Sequence, residues 1–285
     1  MKDELIIQNL SKVFQVEHHE IRAFEAVDFS VPNGQFICIV GPSGCGKSTL
    51  LRCIAGLETP SEGEITCEGE FITKPSKDRM VVFQSFEQLF PWLTVLKNIT
   101  YALQVTKGKT TTKSDEATFK KKETVAREYL HLVGLDGYED LFPHQLSGGM
   151  KQRVAIARAL AVKPRILLMD EPFGSLDAFN RNILQEELLR IWQETKTTIL
   201  FVTHSIEESV ILSDQVIVFT SNPGKVKAVI VNGLERPRSP EKPEFMELWK
   251  RLNVLLGLHS KTIAETSIRR RTIFDETEMI QPILQ

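Results

Sequence analysis

Short apolar runs recur along the chain, and their periods predict its elements. Residues 5–10 and 25–31 alternate apolar and polar positions, as half-buried strands do. Continuous apolar runs, which are typical of buried parallel strands, lie at residues 35–40, 80–83, 165–170, 197–204 and 215–220. Because helix-like stretches alternate with these runs in the second half, the pattern predicts an α/β fold with a mainly parallel sheet.

Apolar positions with a helical period predict two helices, one after Lys47 and one near the C-terminus. After Lys47, apolar residues fall on one helical face until Gly56, which is a typical helix stop. Near the C-terminus, Pro243 and Gly257 bracket a stretch with one apolar face. That face consists of Phe245, Leu248, Trp249, Leu252, Leu255 and Leu256. We therefore expect one domain over residues 1–240 and a helical extension with a tail over residues 241–285. Residues 258–285 are expected to be either a loosely ordered end or a regulatory extension.

Composition narrows the function classes. The chain has 285 residues, a net charge of -2 and 42% hydrophobic residues, which is ordinary for a globular protein and gives no overall basic field for nucleic acid. No apolar run approaches the roughly 18 residues that span a bilayer, and the N-terminus has no secretory pattern. The cysteines form no CxxC pair, which argues against zinc and disulfides and suits a reducing cytoplasm. They are Cys38, Cys45, Cys53 and Cys67.

A phosphate-binding loop follows the run at residues 35–40. Gly41, Gly46, Lys47 and Ser48 fit G-x-x-x-x-G-K-[ST], between a predicted strand and a predicted helix as the motif requires. Lys47 is expected to reach the β- and γ-phosphates, and the Ser48 hydroxyl to bind Mg²⁺. The nucleotide-binding loop as a whole is predicted to comprise Gly41, Pro42, Ser43, Gly44, Cys45, Gly46, Lys47, Ser48 and Thr49.

Two acids and one thiol extend this prediction. Asp170 ends the buried run at 165–170 and suits a Mg²⁺ ligand. Glu171 comes next and is positioned to orient or deprotonate an attacking water. Cys45 lies near a helix N-terminus, which should favour its thiolate.

A second anion-binding pattern, LSGGMKQR, occupies residues 146–153. Ser147 can cap a helix, and Gly148 and Gly149 let backbone N–H groups approach an anion. The loop at residues 41–49 already suffices for one nucleotide. The second pattern therefore needs another explanation.

The LSGGMKQR segment resembles the signature of ABC-type ATPases, and further motifs of that family follow in order. Gln84 resembles the Q-loop glutamine, Asp177 the end of the D-loop at 175–177, and His204 the switch histidine. Phe14 lies where the family places an aromatic ring on adenine. The resemblance covers about residues 5–235. It departs from the common pattern at Met150, which replaces a glutamine frequent in the family.

The resemblance implies a P-loop NTPase (RecA-like) core with an antiparallel β subdomain and a helical subdomain inserted at about residues 87–160. It implies ATP and Mg²⁺ as ligands, with Lys47, Gln84, Glu171 and His204 catalytic. The metal ligands implied are Ser48, Gln84 and Asp170. It also implies that two copies sandwich two ATP molecules, with Ser147, Gly148 and Gly149 of each copy completing the site of the other. Asp177 is a further nucleotide-binding residue that the resemblance implies.

The segment at residues 86–99 is rich in apolar and aromatic side chains without a clean period. It is either the core of a helical subdomain or an exposed groove that receives a helix from a membrane partner. With residues 203–226, it resembles ATPase subunits of nitrate, sulfonate and taurine importers. That resemblance implies an ATPase on the cytoplasmic face of the membrane, paired with itself or a related subunit, with a permease and, indirectly, a solute-binding protein. The solute is not readable from this chain.

Other classes remain open at this point. The chain could serve another ABC importer or an exporter. A soluble ABC ATPase acting on DNA or the ribosome fits less well, because the chain has one cassette, no long coiled-coil insertion and no basic balance. A small-molecule kinase would leave residues 146–153 unexplained.

Overall fold

The computed structural model describes residues 3–17, 19–106, 116–174, 176–221 and 223–257. The strands among these residues are β1 (Asp3–Val16), β2 (His19–Pro32), β3 (Phe36–Val40), β4 (Glu62–Cys67), β5 (Glu70–Phe71), β6 (Arg79–Val82), β7 (Ile166–Asp170), β8 (Thr198–Thr203), β9 (Gln215–Phe219) and β10 (Val226–Val231). The helices are α1 (Lys47–Ala55), α2 (Val95–Val105), α3 (Glu116–Leu132), α4 (Gly148–Ala161), α5 (Ala178–Thr195), α6 (Ile206–Leu212) and α7 (Pro243–Leu255).

The central sheet has the strand order β10-β9-β3-β8-β7-β6. Its pairs are parallel except β10, which lies antiparallel to β9 at the edge. Strands β3 and β8 are buried along their whole length, as expected for strands covered on both faces. All five continuous apolar runs are strands of this sheet, so the α/β prediction with a mainly parallel sheet is confirmed.

A second, antiparallel sheet has the order β2-β1-β4-β5. Its first two strands are longer than the alternating stretches predicted at residues 5–10 and 25–31. The pairing of β1 with β2 shifts register several times, and Asn9 and Ala26 have φ values of 45° and 48°. Each bulge adds one residue to the strand, so the side chains after it no longer follow the alternation of those before it. The apolar–polar pattern in the sequence is therefore interrupted although the strand continues.

Helices α2, α3 and α4 pack against one another through buried apolar side chains. Ile99, Leu130 and Val154 have no exposed surface and belong to a cluster that continues onto the central sheet. The start of α4 carries the signature segment, residues 146–153, so this packing fixes where that segment lies.

The predicted C-terminal helix is confirmed as α7. Phe245 and Leu252 are buried against α6 and the β9–β10 edge of the central sheet. The tail predicted at residues 258–285 lies outside the described residues. Within the described ranges, no helix is both long and apolar enough to cross a membrane.

Candidate functional site

The loop between β3 and α1 is shaped by glycine. Gly46 is the N-cap of α1 with φ 90°, and a Cβ there would lie 2.5 Å from the carbonyl oxygen of Ala23. No L side chain fits both conditions, so the motif glycine is a steric requirement of this loop. The N-terminus of α1 has no side-chain cap and no acidic residue in its first turn. Its N–H groups and its partial positive charge are therefore available to an anion.

Lys47 is folded into this loop. Its Nζ donates hydrogen bonds to the carbonyl oxygens of Gly41 and Pro42, both at 2.8 Å, and the residue is only 4% exposed. Carbonyl oxygens compensate its charge only partly, because they are neutral acceptors. A phosphate anion would be a stronger partner at the same position.

The prediction that the loop favours the Cys45 thiolate is wrong. Cys45 is 1% exposed, and burial raises the pKa of its thiol, although Lys47 opposes the shift. The Cys45 sulfur points inward, since a Cβ at Gly41 would lie 2.9 Å from it. The desolvation cost of a buried thiolate exceeds the stabilisation from the adjacent ammonium and helix N-terminus. Cys45 therefore contributes packing and backbone to the loop.

Ser48 and Asp170, predicted as metal ligands, lie together. The Ser48 hydroxyl donates to Oδ1 of Asp170 at 2.8 Å. Burial raises the pKa of Asp170, and the Ser48 hydrogen bond opposes the shift. Mg²⁺ in nucleotide sites characteristically uses one or two protein ligands plus phosphates and waters, and this pair suits that role.

Glu171 and His204 form the next pair along the edge of the sheet. Nδ1 of His204 lies 2.9 Å from Oε2 of Glu171. Glu171 has φ 44°, an uncommon backbone conformation for a non-glycine residue, and its N–H donates to the Val202 carbonyl at 3.0 Å. Glu171 is thus held by the backbone of β8, the same strand that places His204. His204 makes this contact through Nδ1, which leaves its other ring nitrogen, Nε2, for a bond to a ligand.

Gln84 follows β6 and reaches the loop after Glu171. A Cβ added to Gly174 would lie 2.9 Å from Nε2 of Gln84. Gly174 itself is held by its N–H, which donates to the Glu171 carbonyl at 3.0 Å. The sequence marked Gln84 but not Gly174, whose only signal is its place three residues after Glu171.

Ser147 precedes α4 and its side chain faces outward. Its hydroxyl oxygen accepts from the Met150 N–H at 3.3 Å, and Ser147 is an exposed N-cap. Gly148 and Gly149 open the helix behind it. Among the described residues, none of these three makes a hydrogen bond to the loop at residues 41–49.

Asp177 and Phe14 lie on other elements. Asp177 is the exposed N-cap of α5, and the N–H of Asn180 is the main cause that lowers the pKa of its carboxyl. Phe14 is half-buried on β1, with Nζ of Lys12 4.7 Å from its ring centroid. One ring face is therefore taken by a cation, and an adenine would need the opposite face.

Two residues of this region carried no clear signal in the sequence. Glu208 is buried beside the His204 loop, and Arg181 on α5 lies 3.7 Å from it. Ser205 and Glu208 have the spacing of a capping box, in which the Glu208 side chain would accept from the Ser205 N–H. Only half of that box forms, because the Glu208 carboxylate accepts a hydrogen bond from the Thr203 hydroxyl instead.

The arrangement fits a magnesium nucleotide. An uncapped helix N-terminus and a buried lysine lie on one side, and a serine–aspartate pair lies beside a glutamate–histidine pair on the other. The carboxyl ends of β3, β7 and β8 bring them to one edge of the sheet, where ligands bind in open α/β sheets. These groups suit phosphate binding and attack by water.

The comparisons with known proteins agree with this chemistry. The ABC transporter family model matches residues 24–174. An uncharacterized ABC transporter ATP-binding protein of Methanocaldococcus jannaschii is 48% identical over 256 residues, covering 90% of this chain and 92% of that protein. An aliphatic sulfonates import ATP-binding protein of Bacillus cereus is 45% identical over 262 residues, covering 92% of this chain and 98% of its own length.

A solved structure shows the same fold. The dimeric structure of a bacterial ABC transporter cassette matches with a TM-score of 0.69 at 31% identity, covering 81% of this chain and all of the other. The P-loop NTPase fold that the sequence resemblance implied is thereby confirmed. The chain belongs to the ABC transporter family and is an ATP-hydrolysing subunit of that family.

Proposed function

We propose that this ATPase works as a dimer of identical chains and powers import of a small solute through a membrane permease. The outward-facing Ser147 carries the proposal. It heads a glycine-rich helix start that suits an anion, yet it makes no bond to the chain's own phosphate loop. A second chain that turns its phosphate loop toward this helix would give Ser147, Gly148 and Gly149 a γ-phosphate to bind. The solved relative described as dimeric supports this arrangement.

Each group of the site has a role in hydrolysis under this proposal. Lys47 exchanges the carbonyls of Gly41 and Pro42 for the β- and γ-phosphates. Ser48, Asp170 and Gln84 would hold Mg²⁺, which neutralises charge on the phosphates.

Glu171 orients the attacking water and accepts its proton. With a proton on each ring nitrogen, His204 would donate from Nδ1 to the Glu171 carboxylate and from Nε2 to the γ-phosphate. Phe14 supports adenine on the ring face that Lys12 leaves free. Asp177 meets the partner chain.

A groove beside the Q-loop segment supplies the proposed permease contact. This groove, of about 640 Å³, is lined by Met80, Gln88, Phe90, Tyr101, Val105 and Arg158, among others. The Phe90 and Tyr101 rings lie 5.0 Å apart, and Trp92, which is 71% exposed, lies 5.5 Å from Phe90. Two exposed aromatic rings, Trp92 and Tyr101, beside the half-buried Phe90 suit a short amphipathic helix of a membrane protein. Residues 86–99 were predicted to form either an exposed groove or the core of a helical subdomain. The exposure of Trp92 agrees with the groove, whereas the burial of Leu89 agrees with the core.

The proposed cargo is a small solute of the nitrate, sulfonate or taurine class. The Bacillus cereus relative, which is described as an aliphatic sulfonates importer subunit, supports this class. This chain does not contact the solute in the proposed assembly, so a solute-binding protein and the permease select it. The ATPase would sit at the cytoplasmic face of the membrane, and nucleic acid has no part in the assembly.

The experiment is capture of the tagged chain from detergent-solubilised membranes, with the retained multi-spanning protein identified by mass spectrometry. Trp92→Glu should lose that protein while its ATP hydrolysis in isolation persists. The matched control is Val254→Glu, on α7, because Val254 is 73% exposed outside the groove. Retention of the permease by Trp92→Glu, or no membrane protein with the wild type, would contradict the proposal.

A further inference from the structure

Arg181 lies between two loops of the site and contacts both. Its Nη2 donates to the carbonyl oxygen of Leu176 at 3.0 Å, and its Nε lies 3.7 Å from Oε1 of Glu208. Leu176 precedes Asp177, which begins α5. Glu208 lies on α6, directly after the His204 loop. One guanidinium therefore spans the segment at residues 176–177 and the segment that carries His204.

Glu208 continues this connection to His204. Its second carboxylate oxygen accepts from the Thr203 hydroxyl, and the Thr203 oxygen accepts from the Ser205 N–H at 3.0 Å. Thr203 and Ser205 flank His204 in the chain. The Glu208 carboxylate thus holds the Thr203 side chain, which in turn holds the Ser205 N–H on the other side of the histidine.

The cost of burying Glu208 indicates that it does more than fill space. Glu208 is 5% exposed, and burial raises the pKa of its carboxyl against the stabilising contacts of Thr203 and Arg181. A buried ion pair rarely stabilises a fold more than apolar residues of the same volume would. What it supplies is a fixed geometry between the groups that it joins.

The pair is only partly engaged in the single chain. The buried Nε of Arg181 has no hydrogen-bond partner among the residues that the structure describes, and 3.7 Å is too long for a hydrogen bond. Because Nη2 bonds the Leu176 carbonyl, a movement of residues 176–177 toward Glu208 would carry the guanidinium toward hydrogen-bond distance. The contact is therefore sensitive to where that segment lies.

We propose that Arg181 and Glu208 are positioning residues that report the state of residues 176–177 to His204. Contact of the partner chain at Asp177 shifts Leu176 and completes the Arg181–Glu208 bond. The completed bond holds the His204 backbone in place, so that the existing His204–Glu171 contact is kept while Nε2 points to the γ-phosphate. Hydrolysis then proceeds only after the two chains have closed on ATP. This inference rests on the dimer of the proposed function and adds the path by which dimer closure reaches the hydrolytic site.

The test uses three single variants of the whole chain, the double variant Arg181→Gln/Glu208→Gln, and each of these in a Glu171→Gln background with Glu171→Gln alone as reference. Glu208→Gln keeps an acceptor for Thr203 and removes the charge, and Arg181→Gln removes the fork that spans both loops. Arg190→Gln is the matched control, since Arg190 lies on the same helix and pairs with Glu194 at 2.8 Å, away from His204. The readouts are kcat and KM for ATP, ATP-dependent dimer formation of each variant combined with Glu171→Gln, and the melting temperature.

Glu208→Gln and Arg181→Gln should each lower kcat about tenfold, with KM for ATP within about twofold of wild type. The double variant should be no slower than either single variant, because both remove the same connection. Arg190→Gln should change neither constant. ATP-dependent dimer formation should persist in the variants that also carry Glu171→Gln. If Glu208→Gln melts early, Arg181→Gln carries the same test, because the Arg181 side chain is one-third exposed.

Wild-type kcat in a folded single variant would overturn the inference, as would effects that multiply in the double variant. An equal loss in Arg190→Gln would also overturn it, since the effect would then be general. Failure of the proposed function gives a different result, namely that Glu171→Gln alone forms no dimer on ATP. The two failures are therefore separable.

Discussion

Nδ1 of His204 lies 2.9 Å from Oε2 of Glu171, so the two side chains at the ends of neighbouring strands already touch without a ligand. Strands β7 and β8 pair in parallel with Asp170 opposite Val202, which places the residues that follow them side by side. The histidine thereby limits where the carboxylate points. A water placed between the glutamate and a phosphate would meet an acceptor that is already oriented.

Glu171→Gln should reduce kcat at least about 100-fold, because the amide cannot accept the proton from the attacking water. The amide keeps the size of the carboxylate, so ATP binding should persist and the dimer should be trapped in its ATP-bound form. Steady-state phosphate release and size-exclusion chromatography with ATP measure the two effects.

Glu207→Gln is the control for that variant, since Glu207 is an exposed acid on α6 close to the same loop. Its kcat should equal that of the wild type. If Glu171→Gln hydrolyses ATP at the normal rate, Glu171 is not the base.

Asp170→Asn should lower ATP hydrolysis without lowering the stability of the fold. Burial raises the pKa of Asp170, so the folded protein holds the proton more tightly than the unfolded chain does. Stability is therefore greatest below the unfolded pKa and falls as pH rises toward the folded pKa, and at neutral pH the charge is unfavourable to folding. The neutral amide should leave the melting temperature equal or higher, while ATP hydrolysis falls at least about 100-fold through loss of the metal ligand.

Scanning calorimetry and a Mg²⁺ titration of ATP hydrolysis measure both parts of the Asp170 prediction. Asp136→Asn is the comparison, because the Asp136 side chain is 65% exposed and pairs with His131. It should alter neither quantity. A marked loss of stability in Asp170→Asn would show that the buried charge supports the fold.

Gly174→Ala should impair hydrolysis without unfolding the protein. Gly174 has no positive φ, so alanine fits the backbone, but the new Cβ would lie 2.9 Å from Nε2 of Gln84. The flexible Gln84 side chain must move, and Mg²⁺ should then be needed at higher concentration for half-maximal hydrolysis. Gly233→Ala, where a Cβ meets nothing within 4 Å, is the matched control and should behave as wild type. An unchanged Mg²⁺ requirement in Gly174→Ala would argue against Gln84 as a metal ligand.

The contact between Ser48 and Asp170 could be anticipated, because Ser48 lies at the start of the helix after β3 and Asp170 is the last residue of β7. Parallel strands have their carboxyl ends at one edge of the sheet. The strands and the phosphate-loop motif can both be recognised from residues close together in the sequence. The local pattern also predicts helix α1 and its end at Gly56, and Gly56 has the left-handed backbone conformation of a helix C-cap.

The errors concern burial and side-chain direction, which depend on residues distant in sequence. The position of Cys45 beside a helix N-terminus suggested a thiolate, but its burial against other segments reverses the shift. The contact between Arg181 and Glu208 was not predicted, because it joins two separate helices, α5 and α6. Strands β1 and β2 exceed their predicted lengths because bulges interrupt the alternation. None of these outcomes is set by the spacing of neighbouring residues.

The most direct test of the account mixes two inactive chains. Lys47→Ala disables the phosphate loop, and Ser147→Arg blocks the helix start that is proposed to face the partner. In a mixed dimer, one composite site combines an intact Lys47 from one chain with an intact Ser147 from the other. Neither homodimer contains such an intact site. Hydrolysis should therefore be absent in each variant alone and return on mixing, to at most about a quarter of the wild-type rate with random pairing into dimers. A mixture as inactive as its components would contradict the composite site, and so would full activity of Ser147→Arg by itself.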